Sequence, residues 1–179
     1  MGRSLVLSAT VLIGILLGII TAINAFGSVG LKAVSGSPHW SEWRLEQSDS
    51  MLIYALGHFL SAGQLPPPKS ARFFERNVDD EGNGLRADCA YVLQVKLTPS
   101  RWWTLSVANA GVLSPHTEIT AGEAFIGSDG ILKVTISARP SPGNWIVPSV
   151  GGSMNLHFIV NEPTASEVLM LPTVTKNGC

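Results

Sequence analysis

At 179 residues, the chain is long enough for one domain of ordinary size, with about 150 residues left after its first hydrophobic run to bury a core without metals or many disulfides. Charged residues make up 14% and the formal net charge is −1. No block of like charge is present, so the chain lacks the electrostatic footprint of a polyanion binder and no nucleic-acid partner is expected.

Residues 5–26 read LVLSATVLIGILLGIITAINAF, without a charge. At 1.5 Å per residue this run spans about 33 Å, enough for the hydrocarbon core of a bilayer with a little tilt. A cleaved signal peptide is the alternative, but its apolar region is shorter, about 7–15 residues, and ends at small residues. Cleavage after Ala25 puts Ile23 where a small residue belongs, and no Cys follows to carry a lipid anchor. The expectation is an uncleaved transmembrane anchor over residues 1–27, embedded through 5–26. Arg3 at its start, with Lys32 the nearest charge beyond, favours an N-terminus in the cytoplasm. Gly14 and Gly18 form a small-xxx-small pair that allows another helix to approach closely, so a second membrane protein or complex is the expected partner besides the lipid.

Residues 28–47 open Gly/Ser-rich and are expected to form a stalk, and the domain proper is expected at 48–179. Trp40 and Trp43 either sit in the headgroup belt or pack the stalk onto the domain; packing is the favoured reading. Residues 49–62 predict a soluble amphipathic helix capped by Ser48 or Asp49, with Leu52, Leu56, Phe59 and Leu60 on its core face. Gly63 closes it and Pro66-Pro67-Pro68 forbids continuation. His58 lies beside the apolar face as a structural histidine.

From Ala71 onward the period changes to two. Residues 87–97 place Cys89, Tyr91, Leu93, Val95 and Leu97 inward. Trp103, Leu105 and Val107 share a face, as do Leu132, Val134, Ile136 and Ala138, and then Met154, Leu156, Phe158 and Val160, with Asn155, His157 and Asn161 turned outward into solvent. Turns fall at Asn83-Gly84, Pro99-Ser100, Asp129-Gly130, Pro142-Gly143 and Gly151-Gly152. The pattern predicts a mainly β domain, an antiparallel sandwich or barrel.

Motifs of catalysis are lacking: there is no nucleophile elbow, P-loop, GxGxxG, HExxH or CxxC. The turn 79–84 resembles half a calcium loop, but Ala90 stands where a bidentate Glu belongs, so a plain hairpin turn is expected. His39, His58, His116 and His157 are too dispersed for a metal site, and no cofactor is expected. Cys89 and Cys179 permit one disulfide, which would clasp the C-terminal tail onto the body in an exported domain. Arg101-Trp102-Trp103 and Asn144-Trp145 are the most unusual local features. Adjacent strand positions point to opposite faces, so with Trp103 inside, Trp102 is left for the second face. These aromatics either fill the sandwich or line a ligand cleft made of Arg101, Trp102, Asn144 and Trp145.

With these residues in view, the chain resembles the bacterial domain-of-unknown-function family 1214. The resemblance runs through LSAGQLP at 60–66, Cys89-Ala90-Tyr91, the PSRWWTL segment at 99–105, Asp129-Gly130, Gly143-Asn144-Trp145 with Pro148, and Leu171-Pro172 to Gly178-Cys179. It implies a jelly-roll-like β-sandwich, sometimes fused to or encoded beside a family numbered 1254, and no established activity. The chain departs from the family pattern at Ala108-Asn109-Ala110-Gly111 and across Ser50 to Tyr54, which puts any shared polar site there in doubt. The expected function is that of a non-catalytic accessory or scaffold subunit, single-pass in the bacterial inner membrane with its domain in the periplasm. The alternatives are an envelope glycan or small-ligand binding module using the Trp/Arg surface, and a hydrolase whose residues converge only in three dimensions.

Overall fold

The structure, a computed structural model, describes residues 2–28, 30–46, 50–68, 70–97, 102–109, 117–148, 151–161 and 170–179. In chain order the elements are α1 (Gly2–Ser28), β1 (Leu31–Ala33), β2 (Ser41–Trp43), α2 (Met51–Ala62), β3 (Ala71–Arg76), β4 (Tyr91–Lys96), β5 (Trp103–Asn109), β6 (Thr117–Thr120), β7 (Ile131–Ile136), β8 (Asn144–Ile146), β9 (Met154–Asn161) and β10 (Thr173–Lys176).

The strands form two sheets, one of six in the order β1-β2-β3-β9-β5-β6 and one of four in the order β10-β4-β7-β8. The expected wholly antiparallel arrangement is corrected at one place. β7 and β8 run parallel, pairing Val134 with Asn144 and Ile136 with Ile146, so the smaller sheet is mixed. The two sheets face one another across a single core. Tyr91, Leu93, Leu132, Val134, Ile136 and Val174 from the smaller sheet meet Phe74, Trp103, Leu105, Leu156 and Phe158 from the larger one. Within β4, β5, β7 and β9 the inward positions read from the two-residue period are all buried, whereas Leu97 is half-buried and Ala138, also expected inward, is exposed. Each such Val, Leu, Ile or Phe contributes about 1.5–3 kcal/mol by leaving water.

The segment expected as a stalk contributes two short strands to the larger sheet. Leu31 to Ala33 pair with Trp43 to Ser41, and β2 continues onto β3. Both tryptophans there are buried and satisfied: Trp40 Nε1 donates to the Pro172 carbonyl at 2.8 Å and Trp43 Nε1 to Glu75 Oε2 at 2.8 Å. Only residues 29 and 30 separate α1 from β1. Gly30 has φ +93°, and a Cβ added there would stand 2.6 Å from the Tyr54 ring. Glycine is what lets the chain turn against α2 at this point.

α2 ends as expected. Gly63 takes the left-handed conformation (φ 70°) and its N–H donates to the Phe59 carbonyl. The expected caps Ser48 and Asp49 lie outside the described residues; Ser50 occupies the cap without a side-chain bond. The buried face is a correction. Tyr54, Gly57, His58 and Ala62 face the protein, whereas Leu52, Leu56, Phe59 and Leu60 are exposed. The helix is apolar all round, so periodicity could not choose the inner side. The choice is made by Trp43 and Phe73 on the outer face of the larger sheet, which receive Tyr54 and Ala62.

α1 packs beside α2. The side chains described in it are those of residues 6–22, and all are exposed. No helix among the described residues is long and apolar enough to cross a membrane, although the helical backbone runs over 27 residues.

Candidate functional site

The residues expected to line a ligand cleft are not gathered into one. Arg101 lies outside the described residues. Trp102 is 52% exposed, and its ring lies over Gly122, where an added Cβ would stand 3.6 Å from Cζ3. Trp145 belongs to the other sheet and is half-buried, its Nε1 donating to the Ser137 carbonyl at 2.9 Å. Asn144 is consumed by architecture. Its Oδ1 accepts the Phe125 N–H at 2.7 Å, and its Nδ2 donates to the carbonyls of Phe125 and Lys133 at 2.6 and 2.9 Å. The cavity that Asn144 does line includes neither Trp102 nor Trp145.

Asp79 is used by its own turn. Its Oδ1 accepts the N–H groups of Glu81 and Asn83 at 3.0 and 2.9 Å, with Gly82 at φ +86°. This is an Asx turn of the kind that short polar side chains build locally. Cys89 and Cys179 are joined by a disulfide, with Cα atoms 4.0 Å apart. His116 is outside the described residues. Nothing lies within 4 Å of a Cβ added at Gly14 or Gly18.

Two arrangements not foreseen from the sequence are the better candidates. The first is a groove of about 730 Å³ between the start of α2, the Pro66–Pro68 segment and the β2–β3 edge. Its apolar wall includes Met51, Tyr54 and Pro67, and its polar wall Glu42, Arg44 and Arg72. Arg72 grips Glu42 through Nε to Oε1 at 2.6 Å and Nη2 to Oε2 at 3.0 Å, while Arg44 Nη2 reaches Oε2 at 2.6 Å. Burial pushes the Glu42 carboxyl up, but the hydrogen bonds and charge of Arg72, then of Arg44, together outweigh it and hold the group below the ordinary carboxylate range. Because both guanidiniums are engaged with Glu42, the groove is a mixed surface and not a bare anion site.

The second is a line of polar side chains across the face of the larger sheet that α2 covers. Ser41 pairs with Glu75, Glu75 with His157, His157 with Ser106, and Ser106 with Glu118. Directly paired residues share a face, so the line crosses five strands. Its middle members are buried: Glu75 is 8%, His157 1% and Ser106 3% exposed. The expectation that His157 is solvated is therefore corrected; its strand parity is polar, but α2 and the residues around it close that face. The His157 ring lies 5.1 Å from Phe73, which meets His58 edge-on at 4.6 Å, and His58 in turn meets Trp43 at 4.9 Å. Glu75 accepts from Trp43 Nε1 through Oε2 and from Asn155 Nδ2 through Oε1 at 2.7 Å. Burial raises the Glu75 carboxyl above its ordinary range, with the Trp43 bond pulling the other way. Burial lowers His58, against a smaller opposite pull from its bond to the Gln64 carbonyl. Both groups are thus held toward their neutral forms, as buried ionisable groups without a counter-charge must be. The serine, histidine and carboxylate have the composition of an acyl-transfer relay. Here the carboxylate is tied to Trp43 and Asn155, and the Glu75–His157–Ser106 middle of the row is buried, so these three present no open nucleophile. Among the described residues, no three His, Cys, Asp or Glu side chains are placed to hold a metal ion.

Residues 70–165 match the family model described as "Protein of unknown function (DUF1214)". The chain belongs to this family. The DUF1214 match takes in β3 through β9, including Glu75, Ser106 and His157, and leaves α1, β1, β2, α2 and β10 outside it. No curated protein matches the chain. The solved structures similar to it include one from Vibrio parahaemolyticus and one from Burkholderia cenocepacia. The VPA0106 protein from Vibrio parahaemolyticus is 18% identical, with a TM-score of 0.51 over 69% of this chain and 34% of that one. An uncharacterised protein from Burkholderia cenocepacia is 15% identical, with a TM-score of 0.47 over 62% of this chain and 30% of that one. The chain thus spans about a third of the length of these proteins, and the first likeness speaks for the fold alone.

Proposed function

We propose that the chain is a single-pass protein of the bacterial inner membrane, in which α1 anchors the two-sheet domain on the periplasmic side and the domain serves as a non-catalytic accessory or scaffold subunit. The observation that carries this reading is the state of α1. Over residues 6–22 every side chain is exposed and none is charged, and Val, Leu and Ile side chains from Val6 to Ile20 stand 51–71% open. At about 1.5–3 kcal/mol for a fully exposed side chain, and with these half to two-thirds open, that surface amounts to roughly 9–18 kcal/mol. A whole domain is stable by only about 5–15 kcal/mol, so this helix belongs in an apolar phase. Its hydroxyls are treated accordingly: Thr10 donates to the Val6 carbonyl at 2.9 Å and Thr21 to that of Leu17 at 2.7 Å. A spanning helix has to satisfy its polar groups internally in this way. Taken over its full 27 residues, α1 is about 40 Å long. The disulfide supports an oxidising compartment for the domain.

The test is extraction from native membranes in mild detergent, followed by a native gel and mass spectrometry. The expected result is membrane retention after alkaline carbonate and stoichiometric recovery with one membrane assembly. Gly14→Leu and Gly18→Leu should weaken that association without altering the melting of the domain, since neither position has a neighbour in the fold. Release by carbonate would sink the anchor, and a lone monomer would sink the accessory role.

A further inference from the structure

The outward side of α2 is an apolar surface without a cover in the fold. Its twelve residues, MLIYALGHFLSA, contain no charge. Met51, Leu52, Leu56, Phe59 and Leu60 stand 37–77% exposed, and Leu65 just beyond is 74% exposed. A helix lying on a domain in water carries polar residues on its outer face; this one carries leucines on the outside and Tyr54, His58 and Ala62 on the inside.

What covers that face follows from where α1 leaves the domain. α1 packs beside α2, and only residues 29 and 30 link it to β1. Gly30 is seated against Tyr54 of α2 itself, and its carbonyl accepts the Arg44 N–H at 2.6 Å. The two helices are thus neighbours in the fold, and a bilayer entered by α1 would lie close to α2.

We infer that the outer face of α2 lies in the boundary between headgroups and acyl chains of the bilayer that α1 enters, as a second, interfacial membrane contact; this rests on the anchor reading of α1. Interfacial helices bury their apolar side about 5–10 Å into that boundary and hold it by area rather than by specific bonds. In this protein the usual polar side of such a helix is replaced by the larger sheet, so the domain is set down on the membrane through α2 and not held off it by a tether.

Full-length protein is reconstituted in phosphatidylethanolamine/phosphatidylglycerol vesicles carrying a trace of phosphatidylcholine with a diazirine in its acyl chain. After illumination the tryptic peptides are mapped; α1 falls in residues 4–32 and α2 in 45–69. The expected result is lipid adducts on both peptides. A Leu52→Glu/Leu60→Glu variant, altered only at exposed positions, should lose α2 adducts several-fold while keeping those on α1. Adducts on α1 alone would overturn the inference and leave the anchor standing. Adducts on neither would remove the anchor and the inference with it. Undiminished α2 labelling in the variant would also overturn it.

Discussion

Removing the clasp at the C-terminus gives the most direct measure of how the domain is held together. Cys89 and Cys179 close a loop with a sequence separation of 90. In the chain-entropy treatment a loop of that length takes about 4.6 kcal/mol from the unfolded ensemble at 25 °C. The folded state has little to lose beyond this, because the tail is fixed independently. β10 pairs with β4 from Thr173↔Gln94 to Lys176↔Tyr91, and Val174 is fully buried. The Val174 N–H donates to Asp80 Oδ2 at 2.9 Å, and its carbonyl accepts the Asp80 N–H at 2.9 Å. A Cys89→Ala/Cys179→Ala variant should therefore fold with β10 in place and be weaker by close to the entropic figure. With a typical urea slope of about 2 kcal/mol per molar, the midpoint should fall on the order of 2 M. The assay is urea unfolding of the full chain in detergent, followed by tryptophan fluorescence; all five tryptophans lie at or after Trp40, outside α1. Reduced wild-type protein should unfold where the variant does. A midpoint shift below about 0.5 M would refute the reasoning, since it would mean that the unfolded chain gains almost nothing when the loop is opened.

Three further outcomes are expected. Gly30→Ala meets both a left-handed backbone and the Tyr54 ring 2.6 Å from the new Cβ, so it should cost about 2–4 kcal/mol in a thermal or urea melt; a neutral result would show that α2 shifts freely. Glu75 binds its proton more tightly folded than unfolded, so its contribution is complete below the ordinary carboxylate pKa and is lost as pH rises through the raised folded value. Glu75→Gln should flatten that decline in melts taken from acid to neutral pH, and an unchanged slope would contradict a raised Glu75. His58 is shifted the other way: the unfolded chain takes up a proton first as pH falls below 6.5, so wild-type stability drops there. His58→Phe, which keeps the edge-on contacts to Trp43 and Phe73 and removes an Nε2 with no hydrogen-bond partner, should stay within about 1 kcal/mol of wild type at pH 7 and lose the acid-side drop.

How much of this was legible in the sequence depends on how many faces a segment buries. β4 and β7 bury one face, and their two-residue alternation named the core residues correctly. β5 and β9 bury both, so the polar parity of Asn155 and His157 read as solvent although both are covered. Nothing local to β9 reveals that cover, because it is supplied by parts of the chain distant in sequence, such as Phe73 of β3 against His157. The three-residue strands β1 and β2 were hidden in a Gly/Ser-rich stretch, too short for any period to register. A related limit holds for the residues expected to line a cleft. Asn144 beside a turn spends its amide on neighbouring backbone, as short polar side chains commonly do, and Trp102 precedes β5 of the larger sheet while Trp145 lies in β8 of the smaller one. The groove beside Glu42 left no motif because its walls come from β2, α2 and β3, distant enough in sequence that only folding joins them.

The misread face of α2 is the most informative of these errors. A helix that is polar on one side tells the reader where water is, and a helix apolar on both sides says only that it has two neighbours. The sheet supplies one of them through Trp43 and Phe73. Within the fold, the exposed Leu52, Leu56 and Leu60 have no second one, and the element joined to this corner through Gly30 is itself an uncharged apolar helix. On the interfacial reading proposed above, both sides of α2 are contacts, one with the protein and one with the bilayer that receives α1, and this is why the sequence could not pick an inner face.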